Sequence, residues 1–73
     1  MVRAKFVVVG KNEVGEEGFE VKLSPVVSSD PSSENATFYK YTPAGEINLV
    51  TINKEAADQF EVGKEYYVDF TAA

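Results

Sequence analysis

The chain has 73 residues, a formal net charge of −5, and neither cysteine nor histidine. That composition excludes disulfide staples and thiolate or imidazole metal sites, and it removes the side chains most used for acid–base and nucleophilic catalysis. A chain this short forms one domain, residues 1–73, whose core supplies only about 3–5 kcal/mol unless tight packing or self-association adds to it.

The acidic residues are spread along the chain instead of forming a tail. A field of that sign repels phosphate backbones and anionic lipid, and it favours solubility or a basic partner.

From Val2 to Val9 the residues are apolar with two basic interruptions, which predicts a first strand. Ala4, Phe6 and Val8 share one face, and Arg3, Lys5, Val7 and Val9 the other. Val7 and Val9 predict that this strand is covered on both sides along part of its length. The apolar run stops at Gly10 and Lys11, short of the roughly 7–15 residues of a signal-peptide h-region. No stretch approaches the roughly 20 apolar residues of a membrane span. The expectation is a protein not exported by a signal peptide and not placed in a membrane.

Gly10 to Gly18 holds three glycines and three glutamates and reads as a turn or long hairpin loop. Gly10 and Gly15 have the spacing of a phosphate loop, but Glu16 and Glu17 stand where that motif needs lysine and a hydroxyl residue. Phe19-Glu20-Val21-Lys22-Leu23 alternates cleanly, so Phe19, Val21 and Leu23 face inward on a second strand. Pro25 has no N–H to donate and marks its end or an edge position.

Ser28 to Asn35 reads as a polar surface loop. Its Asp30, Ser32, Ser33 and Glu34 match no calcium-loop spacing. Asn35-Ala36-Thr37 matches the glycan acceptor pattern, which carries no weight without a secretory leader.

Thr37-Phe38-Tyr39-Lys40-Tyr41 predicts a third strand, Pro43-Ala44-Gly45 a tight turn, and Glu46-Ile47-Asn48-Leu49 a fourth, so that Thr37 to Thr51 forms a hairpin. Phe38, Ile47 and Leu49 are expected inward, with Tyr39 and Tyr41 on the opposite face. Asn53 is a good N-cap for a short helix from Asn53 to Phe60, with Glu55 in its first turn and Ala56, Ala57 and Phe60 as its apolar stripe. Gly63 sits where a helix stop belongs. In the last strand Tyr66, Val68 and Phe70 share one face, and Glu65, Tyr67 and Asp69 the other.

Five short strands and one helical turn predict an all-β fold, a small five-stranded barrel with no open edges. A helical turn just before the last strand, preceded by a tight hairpin, follows the SH3-like order. An OB-like barrel is the alternative, although its helix usually falls between the third and fourth strands.

Asp30-Pro31-Ser32-Ser33-Glu34-Asn35, Phe38 with Thr42-Pro43-Ala44-Gly45, Ala56-Ala57 with Gln59-Phe60, and Gly63-Lys64-Glu65-Tyr66-Tyr67-Val68-Asp69-Phe70 together span most of the chain. This combination resembles a group of short uncharacterised proteins encoded by tailed bacteriophages. The last segment is its most specific part, and Lys54 departs from the proline expected in the first helical turn. The resemblance implies a viral origin and a location in the host cytoplasm or the virion. It implies no activity.

For function, the remaining carboxylates Glu61, Glu65 and Asp69 fall on a solvent face, and a domain this small has little room to bury a substrate. A non-enzymatic role without cofactor or metal is expected. The candidate binding surface is aromatic: Tyr39, Tyr41 and Tyr67 outside the core, with Lys5 and Lys40 nearby. Tyrosine is enriched in protein interfaces. The expected function is a phage accessory protein acting through protein–protein interaction, with itself as a homo-oligomer, with a virion component or with a host protein. Tyrosines among lysines also suit single-stranded nucleic acid, the alternative, which the net charge disfavours.

Overall fold

In a computed structural model, residues 2–27, 30, 32–39 and 44–73 are described. Strand β1 (Val2–Val14) and β2 (Gly18–Pro25) form a long hairpin, followed by helix α1 (Glu34–Tyr39), strand β3 (Ile47–Thr51), helix α2 (Lys54–Ala57) and strand β4 (Glu65–Phe70). All pairings are antiparallel, in the order β3-β2-β1-β4. The sheet curls into a half-barrel whose two edges, β3 and β4, flank an open side.

The first hairpin is longer than its composition suggests, because Gly10 to Val14 continue β1 and only Gly15, Glu16 and Glu17 make the turn. Gly15 takes φ +66°, and a Cβ on Gly18 would come within 2.5 Å of the Val14 carbonyl oxygen. Val8 pairs with Leu23 but Gly10 with Lys22, so Val9 is an extra residue, a β-bulge. The bulge reverses which face the later β1 side chains take and adds local twist and bend. Val9 is therefore exposed, not covered as expected.

The core lies on the concave face. Ala4, Phe6, Val8, Val21 and Leu23 are buried together, with Tyr39, Ile47, Phe60, Tyr66 and Val68 packed partly against them. Ala57, on the apolar stripe of α2, is buried as the helix rests on β2 and β3. The radius of gyration is 13.5 Å, above the roughly 11 Å typical of a compact domain of this length. A long hairpin on a half-closed sheet produces that excess.

The predicted closed, five-stranded barrel is corrected. The stretch expected as a third strand begins inside a helix, α1, which also takes up Glu34 and Asn35 from the predicted loop. Asn35 explains the change. It is 2 % exposed, accepts a hydrogen bond from the Lys5 N–H, and donates from Nδ2 to the carbonyls of Lys5 (2.7 Å) and Val26 (2.8 Å). These bonds tie α1 to β1 and to the end of β2, and they satisfy an amide that would be costly to bury unpaired. The Nδ2 that would carry a glycan is used up in them. The chain is helical through Tyr39, so the described part of the expected third strand does not pair with β3, and among the described residues β3 is left as an edge.

The end of the chain follows its local signals. Asn53 caps α2 by accepting a hydrogen bond from Ala56 N–H at 3.2 Å, and Gly63 takes φ +88°. The helix itself is shorter than expected and ends at Ala57.

Candidate functional site

The antiparallel register of β1 and β4 sets Arg3 opposite Asp69, Lys5 opposite Tyr67 and Val7 opposite Glu65. Side chains directly opposed in an antiparallel pair share a face and lie close enough to interact. On this convex face the Tyr67 ring is 53 % exposed. The Arg3 guanidinium lies 4.8 Å and the Lys5 ammonium 5.4 Å from its centroid. Arg3 also binds Asp69 in a two-pronged contact, Nε to Oδ1 at 2.6 Å and Nη2 to Oδ2 at 3.1 Å. Lys5 reaches Glu65 at 3.8 Å.

Charge is therefore matched across this cluster. The hydrogen bonds from Arg3 hold the Asp69 carboxyl below its ordinary range, and the same contact raises the guanidinium of Arg3. Both basic groups are engaged with carboxylates and with the Tyr67 ring, so little cation is left to attract phosphate.

Of the predicted surface, Lys5 and Tyr67 are brought together. Tyr39 is not with them: it packs against the concave core, edge-on to Phe38 with ring centroids 4.7 Å apart at 75°. Burial pushes its hydroxyl pKa up. The expected faces of this pair are reversed, since Phe38 is the exposed ring; the helical backbone replaces the period-two alternation from which they were assigned. Lys40 and Tyr41 lie outside the described residues. Among the described residues, no three acidic side chains gather where they would hold a metal ion.

A second region was not singled out by the sequence. Between the two sheet edges opens a cleft of about 520 Å³, walled by Leu23, Ile47 and Leu49 on one side and Phe60, Val68 and Phe70 on the other. Leu49 and Phe70 are exposed at its mouth. Just beyond, Val50 and Ile52 are 61 % and 77 % exposed. The available signal was Ile47-Asn48-Leu49-Val50-Thr51-Ile52, six uncharged residues in a row within a chain that is 26 % charged.

Tyr66 shapes the far wall. Its hydroxyl donates to the Gln59 carbonyl at 2.9 Å and accepts from the Glu61 N–H at 3.0 Å. This pins the segment after α2 beneath β4 and holds Phe60 against the Tyr66 ring, 5.4 Å between centroids. The chain matches no family model, no curated protein and no solved structure.

Proposed function

We propose that this chain is a non-enzymatic protein-interaction module, an accessory protein of a tailed phage whose working surface is the open side of the half-barrel. The observation that carries the reading is the meeting of exposed Leu49 and Phe70 at an apolar cleft between two strand edges, with Val50 and Ile52 exposed on the same edge segment outside the cleft. Small domains rarely leave such surface contiguous and uncovered unless something docks there. A fold lineage of SH3-like order is part of the proposal: the chain keeps a helical turn ahead of the last strand.

A photo-crosslinking residue placed at Leu49 or at Phe70 tests it in the cell that makes the protein. The expected result is a discrete adduct of defined mass from both positions and none from Glu16 in the β1–β2 turn. Absence of adducts from the cleft positions, or equal labelling from Glu16, would overturn the reading.

Single-stranded nucleic acid is the second reading, and the observation favouring it is the exposed Tyr67 ring beside Arg3 and Lys5. Stacking on such a ring is worth about 1–3 kcal/mol per base. A fluorescence titration with an oligonucleotide at low salt should show binding that is lost in Tyr67→Ala; no binding there, where attraction is least screened, rules it out.

A further inference from the structure

Among the described residues strand β3 is an edge with β2 as its only neighbour, and the direction of its unused backbone groups follows from the ladder. The Val26 N–H, just beyond β2, donates to the Lys5 carbonyl, so two residues on Val7 bonds toward β2, as does its register mate Ser24 toward β1. Because bonding alternates along an antiparallel strand, Leu23 and Val21 turn to the other side and bond Ile47 and Leu49. Asn48 and Val50 are left with N–H and C=O directed away from the sheet. Among the described residues nothing pairs with them.

Resting on the interaction reading above, we infer that a second copy of this chain covers this edge, β3 pairing with the partner's β3 across a two-fold axis through Leu49. The neutrality of the edge fits this occupant. Two chains of net charge −5 repel one another, and they approach at least cost where neither presents a charge; Ile47 to Ile52 carries none. Behind it on the convex face Lys22 and Glu20 sit 3.9 Å apart and cancel. A charged partner strand would find no counter-charge on this edge, whereas an identical neutral strand is matched along its whole length.

The geometry is self-complementary. An antiparallel two-fold centred on Leu49 sets Asn48 opposite the partner's Val50, so the outward groups of both exchange hydrogen bonds. Leu49 then meets the partner's Leu49 on the concave side, and Val50 and Ile52 lose exposed surface. The outer edges of the resulting eight-stranded sheet are the two β4 strands, which carry Glu65 and Asp69. Inserted charges of this kind discourage further pairing, so the isologous contact closes at a dimer.

Cysteine crosslinking tests the register cleanly, since the chain has no cysteine of its own. Opposed residues of a non-bonded antiparallel pair have Cα atoms about 4.5 Å apart, within the roughly 4.4–6.8 Å range a disulfide spans. Leu49→Cys is therefore expected to oxidise to a covalent dimer, while Val50→Cys, offset by two residues from its copy, is not. Sedimentation of the unaltered chain should give the mass of two chains, and Val50→Lys should reduce it to one with an unchanged circular dichroism spectrum. A monomer at millimolar concentration, or crosslinking from Val50→Cys as readily as from Leu49→Cys, would overturn the β3 pairing. If the chain is monomeric but the Leu49 photo-crosslinker captures a different protein, the second copy is wrong and the interaction reading stands. If that crosslinker captures nothing, both fall.

Discussion

The two edges of this sheet are built differently. β4 has Glu65 and Asp69 on its convex face, tied to Lys5 and Arg3 of the neighbouring strand, and the Tyr66 hydroxyl fastens the preceding loop beneath it. β3 has five residues without a charge, and Val50 projects from it into solvent. An edge strand is a template for pairing, and charge placed along it is one of the ways a protein prevents that. One edge of this sheet thus carries charge along it, and the other carries none.

The largest expected effect concerns why β3 is an edge at all. Asn35→Ala removes three hydrogen bonds made by a buried side chain and strands backbone groups of Lys5 and Val26. Each buried group left unpaired costs about 1–3 kcal/mol, so a loss of about 2–4 kcal/mol is expected from urea denaturation. A loss below the cost of one such group would break the claim that Asn35 anchors α1.

Tyr66→Phe keeps the ring against Phe60 and deletes only the hydroxyl that binds Gln59 and Glu61. The expected cost is about 1 kcal/mol, read as a lower denaturation midpoint with an unchanged slope. No change would mean that the fastening of β4 is ornamental.

The charge difference between the edges is tested directly by Glu65→Thr and Asp69→Thr together with Arg3→Thr and Lys5→Thr, which removes both ion pairs and gives β4 a side as neutral as β3. Species heavier than a dimer are then expected in sedimentation, as β4 edges begin to pair. A clean dimer would show that something other than charge protects β4.

The smallest effect is on acidification. The Asp69 carboxyl is held below its ordinary value by Arg3, so its contribution to stability is fully present above the unfolded-state value and is lost as pH falls through the lower, folded one. The group is solvent-exposed, and screening keeps the contribution small. Thermal melts of the wild-type chain and Asp69→Asn should converge below the normal aspartate range and separate slightly above it. Equal separation at every pH would dissociate the stability effect from ionisation.

Much of the fold is legible in local pattern. The alternation from Phe19 to Leu23 and from Glu65 to Phe70 gives β2 and β4 their inward faces, and Asn53 and Gly63 do what a cap and a stop should. The failure is instructive at Thr37 to Tyr39, where aromatic residues argue for a strand. Tyr39 packs on the core and Asn35 bonds Lys5 on β1 and Val26 just beyond β2, and these contacts override the local preference. Of the proposed aromatic surface, Lys5 and Tyr67 were readable from alternation. The pairing of Arg3 with Asp69, 66 positions apart in sequence, depended on the register of β1 and β4.

Sequence alone determined the absence of cysteine and histidine, the acidic charge, the amphipathic strands and the neutral run from Ile47 to Ile52. These are properties of composition and of short windows, where backbone geometry repeats every two residues. Only the tertiary structure decided that this neutral run lies at an edge, with Ile47 and Leu49 on an apolar cleft, while the charged strand β4 forms the other edge. Pairing and edge status are set by contacts between segments far apart in the chain, which no local period encodes.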